Sequence, residues 1–335
     1  TSTGTADGEF RFKPNSTISS ATGNPAFSIA SGVSFSGGEY SYADAYYSET
    51  GRITLDVQDS NYLGNQINSQ QNLSLGTFIP AYYAVNFETG VELNNTYINA
   101  SANDFTYLGQ AISFLKEPSF TIVPQSALDL PTKNYLYAGW TFNPNLTDIT
   151  DTTKLNYADT SGYIGTASVS HVNAPQITQD LSIFGKHLAL NGTQVTYHKV
   201  DTNNKMFGPV APFSSQLNIE FTSSFFTDIN GICFRSNYAD VSCNSYTYSA
   251  ITGANLRFGR FKLDSTYGPE TDSLQVPFKT EYFLGNKWLV NTLDNATAIS
   301  FSESSNQWIL SPIGAVDITD EVNTLSSDGM MLLGQ

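Results

Sequence analysis

Apolar and polar side chains alternate with a period of two along nearly the whole chain, and no stretch of ten or more residues carries a helical pattern. In GRITLDVQD, Ile53, Leu55 and Val57 alternate with Thr54, Asp56 and Gln58, and SQLNIEFTS repeats the pattern through Leu217, Ile219 and Phe221. Strands of this kind bury one face and wet the other, so the core must be closed by packing sheet on sheet. DSLQVPFKTEYFLGNKWLVNT reads as a hairpin turned at Gly285-Asn286, with Pro277 placing its first arm at a sheet edge. TAISFSESSNQWILSP reads as a second hairpin, turning near Ser304 to Asn306.

A chain of 335 residues exceeds what one core usually serves. The expected fold class is therefore all-β, with two or three β-sandwich domains, Ig-like or jelly-roll-like, in tandem. Residues 1–75 read as a small Ig-like sandwich, because Gly51 opens an alternating strand after the Tyr-rich YYSET. Pro80 in LGTFIPAYYAVNFE marks the handover to a second sandwich over 76–208. Gly208, Pro209 and Pro212 then precede a third, over 209–335, holding a bulged strand and the hairpins. Only 13% of residues are charged, against roughly 25% in an average globular domain, which suits solvated sheets better than helices.

The formal net charge of -15 removes the cationic footprint that a nucleic-acid binder needs. No run of about 18 apolar residues is present to form a spanning helix. TSTGTADGEF carries no charged and apolar leader, so any signal peptide is expected to have been removed or to lie outside these residues. Cys233 and Cys243 stand ten residues apart with no second pair to complete a tetrahedral metal site. A local disulfide is the better reading, and it implies an oxidising compartment; two unrelated buried thiols are the alternative.

NLRFGRFKLDSTYG holds three cations, Arg257, Arg260 and Lys262, within six residues of an acidic chain. Its apolar alternation changes phase at Gly259: Leu256 and Phe258 share one parity, Phe261 and Leu263 the other. A β-bulge at Gly259 and Arg260 accounts for the slip and gathers the cations on one outer face. Those cations either pair across strands with Asp264, Glu270, Asp272 or Glu281, or grip an anionic group on a bound glycan or lipid.

LRFGRFKLDSTYGPETDSLQVPFKTEYFLGNKWLVNT resembles the C-terminal region of the MshQ-type proteins of the mannose-sensitive haemagglutinin type IV pilus system of aquatic bacteria. YYSETGRITL, LGTFIPAYYAV, FTYLGQ, TKNY and FTDINGICF agree in order along the chain. The resemblance implies a secreted, surface-exposed β-rich protein acting in pilus-mediated attachment, with other pilus or surface proteins as partners and no catalytic residues to transfer. Where such relatives carry a cysteine after NTLD, this chain has Ala296.

Catalytic patterns are sparse. His171, His187 and His198 fall in no zinc-binding spacing, and neither a G-x-S-x-G elbow nor a phosphate loop occurs. Calcium is the more credible ion. Asp148, Asp151 and Asp159 lie among hydroxyls, and Asp228 and Asn230 precede Gly231 like the start of a calcium loop, although solvated turns explain the same spacing. Tyr40 and Tyr42, with Tyr46 and Tyr47, could form a stacking platform for sugars or pack across strands. These features lead to a non-enzymatic, extracellular adhesin-type protein that binds a surface ligand, a host glycan or an abiotic surface. The alternative is a structural spacer or filament subunit assembled by β-strand addition, with the apolar tail at residues 330–334 as donor.

Overall fold

A computed structural model of the chain describes residues 8–14, 27–28, 36–37, 46–47, 49–62, 64–68, 73–98, 104–137, 139–269, 275–295, 297–304 and 307–313. The fold is all-β and multi-domain, built from several antiparallel sheets. The helices among the described residues, Lys133–Tyr137 and Leu146–Thr150, have five residues each. None of the described helices is long and apolar enough to cross a membrane.

In the N-terminal sheet, Gly51–Tyr62 is the central strand, pairing with Gly8–Pro14, Asn65–Asn68 and Leu73–Phe78. Three further sheets follow. The first runs Gln176–Asp180, Gly185–Ala189, Ser119–Gln125, Tyr82–Phe87, and the second Ala167–His171, Thr193–Tyr197, Ala111–Lys116, Glu92–Leu93. The third comprises Leu155–Asp159, Leu217–Phe221 and Tyr246–Ile251. Their inward parities meet in one core that extends from Tyr83 to Phe258, rich in aromatic rings packed edge to face. Leu217, Ile219 and Phe221 are all buried there, as their alternation requires.

This core does not respect a boundary at residue 208. Leu155–Asp159 pairs residue by residue with Leu217–Phe221, so a division there would cut a sheet. Gly208, Pro209 and Pro212 punctuate a connection within one packed body, since loop residues mark turns whether or not a domain ends. The strand Leu73–Phe78 likewise runs through the boundary drawn at 75 and 76.

The phase slip at Gly259 has a different cause from the one expected. Asn255–Arg257 pairs with Phe213–Ser214 and, in parallel, with Thr106–Tyr107, whereas Gly259–Leu263 pairs with Phe278–Leu284 in another sheet. The chain leaves one sheet at Phe258 and enters the next, so each half keeps its own inward parity without a bulge. The hairpin Phe278–Leu284 and Lys287–Val290 turns at Gly285-Asn286 as anticipated. Its first arm is central rather than at an edge, because Gly259–Leu263 covers its other side. Pro277 is tolerated because it falls one residue ahead of the strand, where its carbonyl accepts from Asp264 N–H at 3.1 Å.

Candidate functional site

Asp228 is where the calcium-like spacing and the aromatic core meet. Its Oδ1 accepts the backbone N–H groups of Asn230 and Ile232, both at 2.9 Å, and Gly231 N–H closes the turn on Asp228 O at 3.0 Å. Gly231 adopts φ +78, a left-handed conformation that a side chain disfavours. The D-x-N-G pattern thus encodes a side-chain-closed turn. The other oxygen, Oδ2, faces inward and accepts Tyr83 OH at 2.7 Å, Tyr135 OH at 3.2 Å and a short bond from Thr141 Oγ1. Burial, followed by its bonds to Asp228 and Tyr135, pushes the Tyr83 phenol far above its ordinary value, so it remains a donor. With both oxygens engaged, Asp228 acts as a hub joining three chain segments.

Asp148 lies near this hub. It and Asp228 both line a polar cavity of about 220 Å³ with Lys154. Asp148 completes a capping box with Asn145 at the start of Leu146–Thr150 and pairs with Lys154 at 2.6 Å. Burial alone would raise its carboxyl, but the bonds from Lys154 and the Asn145 N–H hold it below the usual range. Asp151 closes a turn by accepting Thr153 N–H at 2.9 Å and Thr153 Oγ1 at 2.7 Å. Asp159 accepts Ser161 N–H and Tyr197 OH, both at 3.1 Å. Among the described residues, no three His, Cys, Asp or Glu side chains converge as a group able to hold a metal ion. Tyr40 and Tyr42 lie outside the described residues; Tyr47 packs on Phe78 with ring centroids 5.1 Å apart.

The three cations do not form an open patch. Arg260 donates Nε and Nη2 to Glu281 Oε2, at 2.8 and 2.6 Å, across the register that pairs these two residues, and lies 3.9 Å over the Trp288 ring. Lys262 lies 3.5 Å from Asp264, which Lys279 also pairs with. Arg257 is held between the rings of Phe105 and Tyr282, 4.3 and 4.6 Å from their centroids, and donates Nη1 to Asn291 Oδ1 at 2.7 Å. Burial lowers its guanidinium from the ordinary value.

Arg257 opens onto a built joint that sequence reasoning missed. Tyr107, from the larger body, donates to Asp294 Oδ2 at 2.9 Å and accepts a short bond from Asn291 Nδ2. Its ring lies against Gly259, where a Cβ would overlap ring carbons Cδ1 and Cε1. Lys199, only 9% exposed, reaches across to Gly259 O at 3.2 Å and over the Phe258 ring at 4.9 Å. No local pattern announces these partners, which stand 34 to 187 residues apart.

The expected disulfide is present, with Cys233 and Cys243 bonded. It closes a loop whose Tyr238 N–H is held by Asp129 Oδ1 at 2.9 Å, while Val241 is 94% exposed. Asp129 also takes the Tyr82 phenol, which burial and this bond push up to about 12. Ser168 Oγ and His198 Nε2 approach to 2.6 Å on an exposed face. Among the described residues no carboxylate bonds His198 Nδ1, so the orienting third member of a hydrolytic triad is not supplied there.

Two successive family models match the chain, over residues 49–249 and 257–332, and the Arg257 joint lies where they meet. No curated protein and no solved structure matches it.

Proposed function

The chain belongs to the DUF6701 family, the two matched stretches being its third and fourth domains, and from that placement we propose that it is a rigid, extracellular, adhesin-type segment that works by contact and not by catalysis. The observation that carries this reading is the joint. Arg257, Tyr107, Asn291, Asp294 and Lys199 tie the two domains together with bonded or ring-packed groups, which suits a part that must hold a binding surface at a fixed angle. The Cys233–Cys243 bridge supports placement in an oxidising compartment. The resemblance to MshQ-type proteins supports attachment in a pilus or surface system, with surface glycans or surface proteins as ligands and calcium as an optional stabiliser.

Purified chain should bind intact cells or immobilised surface glycans saturably. Folded chain that shows no saturable binding across cells, glycans and abiotic surfaces would overturn the adhesin reading. A second reading, a spacer assembled by β-strand addition, is favoured by the strand edges at 155–159 and 167–171, which are unpaired among the described residues.

A further inference from the structure

We propose that the cleft between the strands Leu155–Asp159 and Ala167–His171 is an acceptor groove for an extended, basic peptide segment of a partner protein, which docks by adding a β-strand to one of these edges. The proposal rests on the contact reading above and names the partner class.

Among the described residues, each strand is paired on one side only. Thr222 N–H bonds Lys154 O and Thr160 N–H bonds Gln216 O, so even-numbered residues from 154 to 160 face the Leu217–Phe221 strand. The backbone groups of Tyr157 and Asp159 therefore point outward. Bonds from His198 N–H to Thr166 O and from Val172 N–H to Gly192 O fix the other edge in the same way, leaving Ala167, Val169 and His171 outward. These residues from both edges line one cleft of about 340 Å³, closed at its base by the buried Ile149 and Leu217. Tyr157 OH and His171 Nε2 meet at 3.0 Å between the two edges, and His171 Nδ1 is 3.0 Å from Thr193 Oγ1.

Unpaired N–H and C=O groups beside an apolar floor match the chemistry of an extended peptide, whose main chain supplies the complementary groups and whose alternate side chains fill the floor. Asp159 uses only Oδ1 for Ser161 and Tyr197, and the chain carries a net charge of -15. A second copy would bring like charge to this site. A segment alternating apolar and basic residues brings the complement.

The probe is a fluorescein-labelled nonapeptide of alternating valine and lysine, titrated against the full chain. Controls replace its central valine by proline, or its lysines by glutamate. Expected are a saturable rise in anisotropy, binding weaker by about tenfold or more for both controls, and slowed amide exchange at Tyr157, Asp159, Ala167, Val169 or His171. Val169→Pro and Tyr157→Pro each remove an outward N–H from one of the two edges, and one of the pair should abolish binding; if that variant does not fold, Asp159→Asn decides, with an expected loss of several-fold. No binding to folded chain, equal binding of the proline control, or protection confined to other segments would overturn the groove. Concentration-dependent dimerisation that protects the same amides would assign it to a second copy instead. Surface attachment that persists without peptide binding would defeat the groove while leaving the adhesin reading in place.

Discussion

The Tyr107 ring lies against the bare backbone of Gly259, where the third family domain meets the fourth. Only the absence of a Cβ permits this approach, so Gly259→Ala must displace a buried ring that also bonds Asp294 and Asn291. The expected cost is about 1–3 kcal/mol, the range for overpacking a filled site. Urea denaturation measures it. Limited proteolysis should show faster cleavage between residues 257 and 295, and an unchanged denaturation midpoint would mean that the joint is looser than this packing implies.

Arg257 is a second pin of the same joint, and its environment selects a planar cation. Between two rings, with one nitrogen on Asn291, a guanidinium stacks on both faces while an ammonium does not. Arg257→Lys should therefore lose about 1–2 kcal/mol of stability despite keeping its charge, and a double-mutant cycle with Asn291→Ala should show coupling. Full stability of the lysine variant would reduce the site to simple charge.

These two residues also show where the sequence is legible. Alternation identified the strands through Leu217 and Phe278, the spacing of Cys233 and Cys243 identified the bridge, and Arg260–Glu281 was among the foreseen cross-strand ion pairs. The change of phase at Gly259 was visible but ambiguous, because a bulge and a passage between sheets both invert parity by one residue. Asp228 to Gly231 was ambiguous for a related reason: a calcium loop and a self-closed turn ask for the same oxygen-bearing residues next to glycine. Glu49 illustrates what local reading cannot reach. Its carboxylate accepts Lys133 and Asn134 N–H at 2.9 and 3.1 Å, across 84 and 85 residues of chain.

Loss of the Asp228 carboxylate should unfasten the hub it forms. Asp228→Ala removes the shared acceptor of three mutually bonded hydroxyl groups and of two backbone N–H groups, and an expected loss of about 3–5 kcal/mol follows from opening this part-buried network. Asp228→Asn preserves the shape and one acceptor and should cost less, about 1–3 kcal/mol. The ordering, measured by thermal or urea unfolding, is the test: equal losses would mean that shape contributes nothing and charge everything.

Opening the disulfide should cost less and act locally. The two cysteines are ten residues apart, so the bridge removes only a small loop's entropy from the unfolded chain, worth roughly 2–3 kcal/mol. Replacing both cysteines by serine should leave the far sheet Ala167–His171 intact while speeding amide exchange across 234–242. Uniform loss of protection over the whole chain would show that the bridge secures more than its own loop.

The acid sensitivity of the fold should carry a mark from His171. Burial holds its imidazole below the ordinary value, with Tyr157 on one nitrogen and Thr193 on the other. In the unfolded chain the same ring titrates near about 6.5. As pH falls below that value, the unfolded state takes up a proton before the folded state does, and unfolding becomes more favourable until the folded ring also titrates. Above the unfolded value both states are neutral and the contribution is flat. Depressed carboxyls such as Asp148 and Asp264 act in the same direction, but their losses begin near the unfolded carboxylate value of about 3.9. His187 and His198 remain when His171→Gln is made, so the difference between wild type and variant isolates the one ring. Urea midpoints taken from pH 7.5 down to about 5 should fall more steeply for wild type than for His171→Gln. Parallel curves would mean that the Tyr157–His171 contact is open enough to water for the imidazole to protonate equally in both states.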